Sequence, residues 1–271
     1  MEAEFSAIDG VVSVWCGRLG AAPAYARLAG APHYPASTMK VAVLAAAWRL
    51  ADTGQLDLDR QVVVHDDFDS AAPGAGRFRM DSGYDSDPEV WAALGEPASL
   101  RWLARRMIVV SSNLATNLLW EQVGAGPVAQ ALAAAGAAHS VVRRGIEDYA
   151  ARDGGLDNVM AAADLAALLS ATALEQIASP EACREMRQIL LDQQKNDDLP
   201  SGLPAGTPIA HKSGWITGIR HDAGVVYPDD APPYVIVGCT STQRPEAEMS
   251  ALLGRLAAAS WADRHDLAPA N

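Results

Sequence analysis

The sequence predicts an α+β fold: one antiparallel sheet built from N- and C-terminal segments, flanked by helices, with an inserted all-helical lobe. Three observations carry this reading. β-branched runs cluster at the two ends, as "VVSVWCG" (11–17) near the start and "TPIAHKSGWI", "HDAGVVY" and "PYVIVGCTS" after position 206. Between them, Ala- and Leu-rich stretches recur with helical spacing. "DDLPSGLPAG" (197–206) separates the two textures. The expected division is residues 1–53 plus 205–271 as an α/β lobe and 54–204 as the helical lobe, forming one structural unit. A functional cleft is expected between the lobes.

Residues 11–17 and "AYARLAG" (24–30) predict a hairpin across a Gly/Ala/Pro turn. "STMKVAVLAAAWRLAD" predicts one helix from Ser37 to about Asp52, stopped by Thr53-Gly54. A brief extended segment follows at 61–68, and 69–99 has little periodicity and predicts an irregular excursion. Helices are expected at 99–109, 112–123, 126–136, 161–174, 180–194 and about 245–262.

Hydrophobic residues form 49% of the 271-residue chain and charged residues 20%, a globular balance with enough length for a sizeable core. A net charge of −12 repels phosphate backbones and anionic headgroups, so nucleic acid and membrane surfaces are not expected partners. No apolar run reaches the ~18 residues of a membrane span. The N-terminus lacks the basic and apolar regions of a secretory signal, so the expected location is cytoplasmic. A chain trimmed of its native signal would read the same way. Cys16, Cys183 and Cys239 are odd in number and widely spaced, which predicts buried thiols rather than disulfides. The histidines and the acidic "HDDFD" (65–69) have no metal-ligand spacing, and neither metal nor cofactor is expected.

Of 21 basic residues only three are lysine: Lys40, Lys195 and Lys212. Lys40 lies three residues after Ser37, so the two share a helical face. A serine nucleophile needs a base within hydrogen-bond reach. A buried lysine can supply one, because burial favours its neutral amine, whereas arginine keeps its proton. Alone, the pair reads first as a helix cap and a snorkelling surface lysine. Ser111-Ser112-Asn113 opens a helical run and reads by itself as another cap. Lys212-Ser213-Gly214 lies in a β-branched run, where a lysine either lines a cleft or guards a sheet edge.

Together these make an ordered set: Ser-x-x-Lys, Ser-x-Asn, Lys-Ser-Gly. The set resembles the signature Ser-x-x-Lys, Ser-Asp-Asn, Lys-Thr-Gly of the penicillin-recognising serine enzymes, and among them the class A β-lactamases. The resemblance spans essentially the whole chain and implies a β-lactamase/transpeptidase-like fold. It implies Ser37 as acylated nucleophile, Lys40 as its base or proton relay, and Ser111 as proton donor to the leaving nitrogen. It further implies Asn113 on the substrate amide, Lys212 supporting Ser111 and the substrate carboxylate, Ser213 on that carboxylate, and backbone N–H groups of Ser37 and Trp215, beside Gly214, as an oxyanion hole. Glu147, 34 residues after Asn113, matches the acid that activates the deacylating water. Arg220, with His221 beside it, is a further candidate for the substrate carboxylate.

The sequence departs from the family pattern around Glu147. Asp148 stands where proline is usual, Ala151 where an asparagine helps hold the water, and Val159-Met160 where threonines are usual. By residue pattern alone, Glu147 also reads as a partner for Arg143 or Arg144. The expected function is therefore a serine hydrolase forming an acyl-enzyme on a small-molecule amide or ester, foremost a β-lactam. The alternatives are an amidase, peptidase, esterase or acyltransferase on another substrate, and a β-lactam-binding sensor without turnover.

Overall fold

A computed structural model describes residues 1–267. Strands β1 (Gly10–Arg18), β2 (Tyr25–Arg27), β7 (Ile209–Ile216), β8 (Ile219–Val226) and β9 (Tyr234–Thr242) form an antiparallel sheet ordered β2-β1-β9-β8-β7. β1 and β9 pair in continuous register from Gly10↔Thr242 to Arg18↔Tyr234, joining the two ends of the chain at the sheet centre. Side chains alternate between faces. Val12, Val14, Cys16, Tyr234 and Ile236 pack towards helix α10 (Glu246–Ala262) and the short α1 (Glu2–Ser6). Trp15, Val235, Val237 and Cys239 join the main core on the other face. Both faces are covered, which is why these strands read as nearly continuous apolar runs. All three cysteines are buried free thiols, and burial pushes Cys16 and Cys239 up to about 12.

The intervening chain supplies helices α2 (Lys40–Asp52), α3 (Pro88–Ala92), α4 (Leu100–Val109), α5 (Asn113–Val123), α6 (Ala125–Ala134), α7 (Tyr149–Asp153), α8 (Ala162–Ala173) and α9 (Pro180–Leu191). Every residue of α2 from Lys40 to Trp48 is buried, because neighbours surround this helix: α5, α6, α8 and α9 all pack against it. A helix apolar on every side has no stable place except such a core.

Two expectations need correction. The helix read from Ser37 is split: Ala36–Met39 forms a 3-10 turn and the α-helix begins at Lys40. The cause is local, since Pro35 precedes Ala36, whose φ of 46° lies in the left-handed region. The 69–99 stretch is not irregular. β4 (Asp67–Asp69) pairs with β5 (Arg77–Arg79), β3 (Gln61–Val63) pairs with β6 (Pro97–Ser99), and α3 starts at Pro88 under an Asp87 cap. Three-residue strands are too short to show periodicity in sequence. The bend between β4 and β5 uses Gly74 and Gly76 at φ of 77° and 75°.

Candidate active site

The 3-10 turn carrying Ser37 packs directly against the edge strand β7. A Cβ added at Gly214 would lie 2.8 Å from Ser37 N and 2.9 Å from Thr38 N, so only glycine permits this approach. Thr38 closes the turn, its Oγ1 donating to Pro35 O at 2.7 Å. Ser37 faces a cleft of about 350 Å³ that Ser111, Asn113, Glu147 and Trp215 also line.

Lys40 is fully buried behind the cleft and spans to the α4–α5 junction. Its Nζ donates to Ser111 O at 2.7 Å, Asn113 Oδ1 at 2.9 Å, and Ser111 Oγ and Ser112 O at 3.3 Å. The sequence spacing pointed the amine at Ser37; the structure turns it towards four oxygens of the 111–113 segment. Burial holds the Lys40 amine well below its ordinary value, and the Lys212 charge adds to this while Asp85 opposes it. Lys212, also fully buried, is pushed down to about 7 by burial, with Asp222 opposing. Its Nζ donates to Ser213 O at 2.7 Å. Beside it, Ser213 Oγ is buried without a partner. A buried hydroxyl left unpaired costs free energy, on the order of 1–3 kcal/mol.

Ser111 has a φ of 66° and Glu147 a φ of 63°, both left-handed and neither a glycine. Such conformations cost roughly 1–3 kcal/mol each and persist where surrounding contacts impose them. At Ser111 those contacts are Lys40 on its carbonyl and Ser86 Oγ on Val110 O at 2.8 Å. Asn113 is fixed from both ends, by Lys40 on Oδ1 and by its Nδ2 donating to Tyr84 O at 2.8 Å.

Two asparagines hold the Glu147 loop by its backbone. Asn117 Oδ1 accepts Ile146 N–H at 2.7 Å while its Nδ2 donates to Ile146 O at 2.8 Å. Asn158 Oδ1 accepts Arg143 N–H and Arg144 N–H at 2.8 and 3.2 Å, and its Nδ2 donates to Arg144 O at 3.0 Å. Glu147 Oε2 accepts Asp81 N–H at 3.0 Å, and Oε1 is buried without a partner. Burial raises the Glu147 carboxyl above its ordinary value; Asp85 and Asp81 raise it further and the Asp81 N–H opposes them. Among the described residues no arginine pairs with Glu147: Arg143 is exposed and Arg144 binds Asp157 at 2.9 Å. Asp148 caps α7 and also accepts Ser70 Oγ at 2.6 Å and Ala71 N–H at 2.7 Å, tying the loop to the 70–71 backbone. Ala151 is fully buried.

Arg220 and His221 are drawn away from the cleft. Arg220 Nε donates to Asp198 Oδ1 at 2.7 Å, and its guanidinium lies 5.8 Å from the Trp215 ring centre. His221 Nδ1 accepts Thr240 N–H at 3.1 Å, which puts the ring proton on Nε2, donating to Tyr34 O at 2.9 Å. Buried neutral, its pKa is lowered by desolvation. The pair is therefore engaged at the start of β8, and neither residue lines the cleft.

Sequence reasoning missed Asp85, Asn117, Asn158 and the aromatic rim, where Tyr84 is 71% and Tyr149 50% exposed at the mouth. One signal was available: Asn117 lies four residues after Asn113, hence on the same helix face. Among the described residues, no group of three or more His, Cys, Asp or Glu is placed to hold a metal ion. Among them, too, no helix is long and apolar enough to cross a membrane.

A five-stranded antiparallel sheet with helices on both faces, and a serine–lysine cleft beside its edge strand, defines the β-lactamase-like fold. The beta-lactamase enzyme family matches residues 1–263, and the chain belongs to that family. Solved structures agree in fold. A β-lactamase from Xanthomonas campestris superposes with a TM-score of 0.82 at 21% identity, covering 98% of this chain and 95% of that one. One from Sphaerobacter thermophilus gives 0.80 at 24%, covering 96% and 94%. A mutant of PBP-A, solved as an acyl-enzyme complex with penicillin G, gives 0.76 at 22%, covering 97% and 94%. A comparison with curated proteins found no match.

Proposed function

We propose that this protein is a serine hydrolase that forms an acyl-enzyme at Ser37, with β-lactams as its foremost substrate class. The observation that supports this most is the placement of Lys40: a fully buried amine one turn from Ser37, gripping the segment that presents Ser111 to the same cleft. Depression of its pKa by burial makes the neutral amine more accessible than in a solvated lysine, as a base for serine requires.

In the reaction, Lys40 accepts the Ser37 hydroxyl proton as Oγ bonds to the substrate carbonyl carbon. Backbone N–H groups of Ser37 and Trp215 stabilise the oxyanion, an effect typically worth ~3–4 kcal/mol per donor. The C–N bond then breaks as Ser111 Oγ delivers a proton to the departing nitrogen, and the proton held by Lys40 restores Ser111. Lys212 and Ser213 attract the substrate carboxylate, Asn113 the substrate amide. Water activated by Glu147 cleaves the ester, returning Ser37 and an acid product. The PBP-A mutant bound to penicillin G supports the choice of probe.

Intact-mass spectrometry with benzylpenicillin tests this. The expected result is one adduct per chain on the wild type and none on Ser37→Ala. Failure of every β-lactam, ester and amide tried to give an adduct or a product dependent on Ser37 would overturn it.

A second reading, acylation with slow or absent release, draws on a specific feature. Glu147 Oε1 has no partner and the alanine at 151 offers nothing to hold a water beside it. A stable adduct without steady-state turnover favours this sensor-like reading over hydrolysis. Turnover of other amides or esters, with no β-lactam turnover, favours the amidase, peptidase, esterase or acyltransferase alternative.

A further inference from the structure

Ser112 stands where the signature has an aspartate, so the 111–113 segment has no carboxylate of its own. In the fold, one arrives from elsewhere. Asp85 Oδ1 accepts the backbone N–H of Asn113 at 3.0 Å and of Asp87 at 3.1 Å. Its Oδ2 accepts Leu114 N–H at 2.8 Å, the Trp91 indole N–H at 3.0 Å and the Ser112 hydroxyl at 3.3 Å.

Asn113 and Leu114 open α5, where backbone N–H groups have no partner within the helix and the dipole favours negative charge. Ser112 Oγ takes the next N–H, that of Ala115, at 3.2 Å. The two segments are joined twice more, by Asn113 Nδ2 donating to Tyr84 O and by Ser86 Oγ donating back to Val110 O, each at 2.8 Å.

We propose that Asp85 is a positioning residue for the acylation step: its carboxylate fastens the Ser111–Asn113 segment at the head of α5 and so holds Ser111 Oγ and Asn113 Oδ1 around the Lys40 amine. This rests on the serine-hydrolase reading above. Chemistry favours a carboxylate at this point. Each Asp85 oxygen receives at least two N–H donors, and a carboxylate is acceptor-only, whereas an asparagine amide would turn an NH₂ towards N–H groups in either orientation. Left-handed Ser111 gives the fastening a purpose, because a segment released there relaxes to a commoner conformation and carries the hydroxyl with it. The Asp85 charge also acts at a distance, favouring the Lys40 ammonium and raising the Glu147 carboxyl.

The test compares wild type, Asp85→Asn and the double variant Asp85→Asn/Ser112→Asp, following adduct formation with benzylpenicillin by quenched-time mass spectrometry across pH. Loss of a charged acceptor predicts slowing of at least about tenfold in Asp85→Asn. The acid limb of the rate profile should move to lower pH, because Lys40 loses a negative neighbour and its proton is held less tightly. Returning a carboxylate at position 112 should recover part of the rate. Amide hydrogen exchange at Asn113 and Leu114 runs alongside and should be faster in Asp85→Asn. Wild-type rate, pH limb and exchange in Asp85→Asn overturn the proposal. A wild type that forms no adduct defeats the serine-hydrolase reading instead, and exchange alone then decides whether Asp85 fastens the segment. Should Asp85→Asn fail to fold, Asp85→Glu keeps the charge but displaces the oxygens by one methylene. Several-fold slowing with an unmoved pH limb is then expected, and wild-type rate and exchange overturn the proposal.

Discussion

Two walls of the same cleft are built differently. On the Ser37 wall, side chains hold side chains and backbone: Lys40 reaches four oxygens of the 111–113 segment, and Gly214 brings β7 against the Ser37 turn. On the Glu147 wall, Asn117 and Asn158 grip the backbone of residues 143–146, and the carboxylate ends with one oxygen on Asp81 N–H and the other unpaired. The first wall fixes reacting groups directly, whereas the second fixes the loop and leaves its functional oxygen free. In the proposed mechanism, formation of the acyl-enzyme depends on the first wall and its release on the second, so the two steps should respond separately to mutation.

The largest effect is expected from Lys40→Arg, which keeps N–H donors in place but removes the base. Adduct formation with benzylpenicillin should slow by about 10²–10⁴-fold in a mass-spectrometric time course. Next, Glu147→Gln should leave adduct formation near the wild-type rate and lengthen the adduct's lifetime by about 10²-fold or more. Equal lifetimes would erase the division between the walls. Because the Glu147 carboxyl is raised by burial and must be ionised to act, wild-type release should fall off on the acid side at a pH above the ordinary carboxylate range.

Asn117→Ala strips partners from both Ile146 N–H and Ile146 C=O. Denaturant titration should show a loss of about 2–3 kcal/mol, with adduct release impaired more than formation.

Lys212 offers a test of the opposite sign. Its folded-state value of about 7 lies below the ordinary 10.5, so between those values the unfolded chain holds a proton that the fold does not. Stability therefore rises with pH through that window, and below it the full cost of the buried ammonium remains. Lys212→Met should raise Tm by about 2–4 °C or more near neutral pH and below. The gain should shrink towards pH 10.5, where Lys212 is neutral in both states. Calorimetry across pH checks this, with slower acylation as the accompanying loss. The smallest effect separates sequence from structure at position 151. Restoring the family's asparagine by Ala151→Asn places a larger polar side chain at a fully buried site, so it should destabilise by about 1–3 kcal/mol rather than speed release.

Much of the site was legible because its parts are local. Ser37 and Lys40 are three apart, Ser111 and Asn113 flank a helix start, and Lys212 to Trp215 share one strand; short spacing constrains which groups can lie together. The break after Pro35 was not legible, since a left-handed alanine leaves no compositional mark. Nor were the roles of Arg220 and His221, which alternate along β8; their partners Asp198, Tyr34 and Thr240 lie elsewhere in the chain and engage both side chains.

By itself, then, the sequence determined the α+β class, the terminal strands joined in one sheet, and the order of the three motifs, because periodicity and short-range spacing are properties of consecutive residues. Only the tertiary structure decided that Lys40 turns to Ser111, that Asp85 supplies the carboxylate absent at Ser112, and that two asparagines clamp the Glu147 loop. Those choices are made by hydrogen bonds between residues 14 to 73 positions apart, whose geometry exists only once the helices and the sheet edge have packed.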